Sequence, residues 1–139
     1  MRLYTLNGKT PIYKNVNKYL IDWDSGSRSK LQKKVKDFLS TIWLNSIVYE
    51  EFPVYGTRMK VDFLNATSKL AIEVNGDQHL KFNKFFHGNS RTKFLKSIKR
   101  DLNKAKWLEK NGFSLIELYT EDVNLLSIEY IEKNFNIKI

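Results

Sequence analysis

The chain has 139 residues, a hydrophobic fraction of 42%, 14% aromatic residues and a net charge of +9 from 24 Lys+Arg against 15 Asp+Glu. That length gives one domain with room for a core, and that composition argues against a disordered tail. Cysteine is absent, which excludes disulfides, thiolate metal sites and cysteine nucleophiles together, and two histidines are too few for a histidine-rich zinc site. No apolar run approaches the ~20 residues of a membrane span. The N-terminus lacks the apolar core of a signal peptide, so a cytoplasmic protein with no membrane partner is expected. The excess of positive charge favours a polyanion, because Lys and Arg release counterions from phosphates on binding. A coding bias that inflates Lys, Asn and Ile would raise the charge in the same way.

In chain order, residues 1–28 form an extension expected to pack on the domain. Arg2 to Leu6 suggests a short strand, Asn7-Gly8 a tight turn, and Tyr19 to Trp23 an apolar contact segment. Asp24-Ser25-Gly26-Ser27 offers helix-capping residues. A helix is predicted over 29–43, with Leu31, Val35, Phe38, Leu39 and Ile42 as its buried stripe and Lys30, Lys33, Lys34 and Lys36 on its other faces. Ile47 to Val54 reads as a strand that ends near Pro53. Two more strands follow, around Val61-Asp62-Phe63 and Leu70 to Asn75. A Phe-, Lys- and Asn-rich loop (80–89) leads to a long basic helix over 90–110. Phe94, Ile98, Leu102, Ala105 and Leu108 keep the helical period, and Asn111-Gly112 stops it. Phe113 to Tyr119 is a fourth strand. Glu121-Asp122 open a last helix expected to bury Leu125, Ile128 and Ile131. The order predicts an α/β fold with a mixed central sheet: a three-strand meander, then a helical crossover that is right-handed if strands three and four are parallel.

The stretch 58–79 carries the chemistry. Alternation puts Val61 and Phe63 on one face and Lys60 and Asp62 on the other. If the hairpin centres on Thr67-Ser68, Asp62 stands opposite Glu73, with Cβ atoms ~4.5–5.5 Å apart. Two like charges there repel, and a divalent cation resolves the conflict; two close carboxylates suit Mg²⁺. An ordinary amphipathic hairpin also carries two solvent-facing acids. What favours a site is the polar continuation Asn75-Gly76-Asp77-Gln78-His79 at the end of an apolar strand.

These residues resemble the PD-(D/E)XK, or restriction-endonuclease-like, nuclease superfamily, and within it the branch of the very-short-patch repair endonucleases. The likeness runs through Glu51-Phe52-Pro53-Val54, Val61-Asp62-Phe63, Leu70 to Gly76 with Gln78-His79, and Asp101, Lys104, Leu108, Glu109 and Gly112. It covers about residues 29–124. It implies a three-layer α/β/α sandwich around a central mixed four-stranded sheet. It also implies a nuclease core over 29–124, to which the residue pattern adds a C-terminal helix over 125–139. Asp62 and Glu73 would be metal ligands with the Val74 carbonyl, for Mg²⁺ or Mn²⁺, and a metal-bound water would be the nucleophile. The superfamily's lysine two residues after the Glu is Asn75 here, so His79, with Gln78, is the expected proton-handling group. A Glu that relatives carry on the first helix is Gln32 here. Glu51 is the expected substitute over Glu50, since alternation turns only one of them to the site. Asp101 is a further candidate, for the site or for a surface pair with Lys104.

Arg58, Lys60, Lys93, Lys96, Lys99, Arg100 and Lys104 are the expected phosphate contacts, with Phe85 and Phe86 as candidate stacking groups. The expected function is a metal-dependent DNA endonuclease in a repair, restriction, phage or mobile-element setting, in a bacterial cell or a phage-infected host. The alternatives are a catalytically inactive nuclease fold that binds DNA or a protein, and a nuclease acting on RNA. A homodimer would be needed if both strands are cut.

Overall fold

The computed structural model describes residues 3–9, 13, 15–76 and 89–139, with the side chains of 89–98 and 101 outside that description. The expectations for Gln78, His79, the loop 80–88 and the side chains of Lys93, Lys96 and Asp101 therefore fall outside the described residues.

Four strands form one sheet in the order β1 (Val48–Pro53), β2 (Lys60–Asn65), β3 (Leu70–Val74), β4 (Ser114–Leu118). β1–β2 and β2–β3 are antiparallel, and β3–β4 are parallel. Parallel neighbours cannot be joined by a hairpin. The returning connection contains the helix α2 (Asn89–Lys110). The other helices are α1 (Lys30–Ser40), the single turn α3 (Thr120–Val123) and α4 (Ile128–Phe135). Among the described residues no helix is long and apolar enough to cross a membrane.

Two buried clusters flank the sheet. Leu70, Ile72 and Val74 join Val35, Leu39, Trp43, Val123 and Ile131 in the first; Ala71 joins Leu3, Tyr13, Trp107, Leu108 and Phe113 in the second. Because neighbours on a strand point to opposite faces, the clusters lie on opposite sides of β3. Of the described N-terminal residues, Leu3 and Tyr13 are buried in the second cluster, and Ile21 and Trp23 lean on the first. Among the described residues of 3–9 there is no strand. The segment is held by side chains instead: Tyr4 O accepts from Trp107 Nε1 at 2.7 Å.

Three helical expectations shift. α1 is shorter than predicted because Ser29 caps it, accepting from the Gln32 amide at 3.0 Å, and it ends at Ser40. Its wholly buried residues are Gln32, Val35, Lys36 and Leu39, while Leu31, Phe38 and Ile42 are only partly covered. Lys36, expected on a solvent face, has no exposed surface. In α2, Leu102 is 57% exposed and Trp107, with Leu108, fills the core. α2 stops at Gly112, whose φ of 81° lies in the left-handed region that a glycine enters freely. The C-terminal segment is two helices rather than one: Val123 and Ile131 are buried, whereas Leu125 and Ile128 are exposed.

The alternation of β1 and β2 breaks at one paired level. Val61 lies in the second cluster and Phe63 in the first, so they do not share a face as predicted. On β1, Tyr49 and Phe52 lie together in the second cluster with ring centroids 5.1 Å apart. Between them Glu51 has φ 54°, which costs a non-glycine residue about 1–3 kcal/mol. The pairs Glu50↔Phe63 and Phe52↔Val61 keep one register across the kink. Glu51 and Asp62 are therefore the level at which both strands rotate.

Candidate metal centre

The β2–β3 ladder runs through Asn65↔Leu70, Leu64↔Ala71 and Phe63↔Ile72. One step further in this register Asp62 stands opposite Glu73. The carboxylates reach across the strands: Asp62 Oδ2 accepts from the Val74 amide at 2.8 Å, and Glu73 Oε2 lies 3.4 Å from the Asp62 amide. Val74 thus meets the pair through its N–H. Both acids are buried, Asp62 at 3% and Glu73 at 6% exposure.

Burying two carboxylates side by side costs several kcal/mol unless charge is offset. Cations offset it here. Arg28 Nη2 lies 3.3 Å from Asp62 Oδ1, and its Nε lies 3.8 Å from Glu51 Oε1. Lys104 Nζ lies 2.6 Å from Glu73 Oε1. Lys104, expected as a phosphate contact, is paired with this acid and also lines the groove outside.

Behind the pair is a polar network on α1. Lys36 Nζ donates to Glu50 Oε1 (2.9 Å), Ser25 Oγ (2.9 Å), Ser25 O (3.2 Å) and Gly26 O (3.2 Å). Glu50 Oε2 also accepts from Ser27 Oγ at 2.7 Å and Gln32 Nε2 at 3.0 Å. Glu50 is fully committed. The second Gln32 Nε2 hydrogen goes to Glu51 Oε1 at 3.1 Å. Alternation would turn only one of Glu50 and Glu51 toward Gln32; the left-handed backbone at Glu51 turns both. The amide orientation follows, since reversing it would set an oxygen against two carboxylates. Gln32 Oε1 is then buried with no hydrogen-bond partner among the described residues.

Among the described residues no group of three or more His, Asp and Glu side chains is arranged as a complete metal cluster. The donor set nonetheless fits a hard cation. It is all oxygen, and its two carboxylates are buried in register. Asp62 and Glu73 would hold such an ion; Glu51 is linked to Asp62 through Arg28, and Gln32 to Glu51.

Burial pushes Glu73 up to about 8, with the Asp62 charge adding to the rise and Lys104 opposing it. Glu73 keeps its proton to higher pH in the folded chain than at its ordinary value of 4.5. Its contribution to stability is therefore full below pH 4.5 and lost as pH rises through about 8. Urea unfolding across that window should show the parent losing about 2–4 kcal/mol more than Glu73→Gln, which has no proton to lose. Equal pH slopes for the two proteins would show that Glu73 titrates normally.

Outside the acids lies a groove of about 490 Å³, lined by Arg28, Arg58, Lys60, Arg100 and Lys104 with Glu51. Arg58, Lys60, Lys99 and Arg100 are exposed, as a phosphate-facing role requires. On the inner side Asn75 lines a small cavity with Glu73, Lys104, Leu115 and Glu117. Glu117 pairs in register with Glu73 across the parallel strands, and sequence reasoning passed over it. The alternation of Leu115 and Glu117 in β4 could have flagged it. Arg28 was also missed, because nothing in its neighbourhood marks it as more than loop charge.

No protein-family model and no solved structure matches this chain. Over 66 residues it is 36% identical to "Uncharacterized protein 033L" of Invertebrate iridescent virus 3, covering 48% of this chain and 34% of that protein. The chain thus spans well under two thirds of the length of the curated relative it matches.

Proposed function

We propose that this protein is a metal-dependent endonuclease of the restriction-endonuclease-like class, an α/β/α sandwich that hydrolyses phosphodiester bonds in DNA. The observation that carries the reading is the buried Asp62–Glu73 pair directly behind Arg28 and Lys104, two of the cations that line the groove. A solvent-facing pair of strand acids would need no such counter-charges. Arg58, Lys60 and Arg100 hold backbone phosphates at the groove. Asp62 and Glu73 would hold a Mg²⁺ or Mn²⁺ ion, for which the buried Glu73 would have to give up its proton. When bound, such an ion would supply an acidified water and offset charge on the phosphate. Lys104 keeps a positive charge beside that centre, from a helix instead of the strand.

One observation favours a second reading. Arg28 and Lys104 already pair with the two acids without any metal, as a catalytically inactive DNA-binding module would require. Incubation of supercoiled plasmid with Mg²⁺, with Mn²⁺ and with EDTA separates the two. Nicking that needs a divalent ion and disappears on chelation is the expected result. A plasmid that survives both metals yet is retarded in a gel establishes the binding module. A labelled RNA run in parallel tells which polymer is cut.

A further inference from the structure

The three cations of the site differ in how firmly they are held. Lys36 has no exposed surface and is shared among four acceptors. Lys104 is 19% exposed and sits 2.6 Å from its acid. Arg28 is 64% exposed and spans Asp62 and Glu51 at the longer distances of 3.3 and 3.8 Å. Asp62 cannot leave, being 4% exposed and tied to the Val74 amide; Arg28 can.

Its backbone supports that difference. Ser25 and Gly26 are clamped by Lys36, Ser27 by Glu50, and Ser29 caps α1. The main chain on both sides is therefore fixed, and only the side chain is free to swing. The same guanidinium lines the groove it shares with Arg58, Lys60 and Arg100, where a phosphate chain would run. A guanidinium pairs with phosphate at least as well as with carboxylate, by the same forked geometry.

We propose that Arg28 is a displaceable counter-ion: it closes Asp62 and Glu51 in the metal-free protein and passes to a backbone phosphate when nucleic acid enters the groove. The inference rests on the metal-site reading above. Its consequence is an order of assembly. Without nucleic acid the guanidinium competes with a divalent ion for Asp62, the carboxylate that both would take. With nucleic acid bound, that competition is removed, and by linkage the metal in turn strengthens binding of the polyanion. A metal-dependent hydrolase built this way charges its site only when its substrate is in place.

The test is Mn²⁺ binding to the full chain, read by electron paramagnetic resonance of free Mn²⁺ and independent of turnover. In the absence of DNA, Arg28→Ala and Arg28→Gln should bind Mn²⁺ roughly tenfold more tightly than the parent. Arg58→Ala removes a groove charge that does not touch the acids, and should change affinity less than about twofold, which separates the specific contact from the general field. A short duplex with a non-hydrolysable backbone should tighten Mn²⁺ binding more in the parent than in Arg28→Ala. A parent that binds Mn²⁺ with both Arg28 variants no tighter overturns the counter-ion and leaves the metal site standing. Equal gains for the Arg28 and Arg58 variants overturn it too. If neither the parent nor the Arg28 variants bind Mn²⁺, the metal reading itself falls and this inference goes with it.

Discussion

Asp62→Asn is expected to lower Mg²⁺-dependent nicking by about 10³ while the protein melts at or above the parent temperature. The two effects have one cause. Asparagine keeps the shape of the side chain and an oxygen for the Val74 amide, which now donates to Asp62 Oδ2 at 2.8 Å. What it removes is the charge. A carboxylate that holds a divalent ion is worth several kcal/mol of transition-state stabilisation, and each 1.36 kcal/mol is about tenfold in rate. The same charge is a burden to the fold, because it is one of the causes that raise Glu73. The ion pair lost with it goes to an Arg28 side chain that is 64% exposed, and such pairs contribute about 0–1 kcal/mol. Rate and stability should therefore move in opposite directions. Plasmid nicking and a thermal melt on the same preparation check this. A parental rate in Asp62→Asn removes Asp62 from the chemistry. Activity and melting temperature falling together would mean that the carboxylate serves the fold.

The hairpin register was legible because its cause is local. The polar residues Thr67 and Ser68 place the turn, strict pairing follows, and Asp62 comes to stand opposite Glu73. The mixed sheet was legible for the same kind of reason: three closely spaced strands must meander, and a long helix before the fourth permits a parallel return. The neighbours of the pair were not legible. Glu51 adopts a left-handed backbone that no glycine or asparagine announces, and with it alternation fails in both β1 and β2. Periodicity on α1 identified an apolar stripe but could not show that the polar flank beside it is buried too. Gln32 and Lys36 are covered by a loop and by β1, elements whose approach no helical period encodes. Lys104 was legible as part of the family likeness and as a phosphate contact, but not as the partner of Glu73, to which the placing of α2 brings it.

Lys36→Met should cost about 3 kcal/mol and lower the melting temperature by about 10 °C, more than a substitution of the exposed Lys34 would. Lys36 is wholly buried, and its partner Glu50 is 13% exposed. Methionine fills a similar volume, so no large cavity opens, and the loss is electrostatic. Glu50 would remain buried with Ser27 Oγ and Gln32 Nε2 as its remaining donors. Those two bonds hold the cost at the low end of the 3–5 kcal/mol typical of a broken buried pair. Ser25 and Gly26 would lose their anchor as well, and with it the fixed base from which Arg28 reaches Asp62. The double variant Lys36→Met, Glu50→Leu tests the assignment, because replacing both members of a buried pair by apolar groups is often nearly neutral. Calorimetry should show the double variant recovering most of what the single one loses. If Lys36→Met alone melts with the parent, the ammonium is not the keystone of the loop. A double variant as unstable as the single one would instead place the cost in the packing of α1. Recovery of stability without recovery of nicking would show that the network serves two ends: it keeps Glu50 buried, and it sets the loop from which Arg28 meets Asp62 and Glu51.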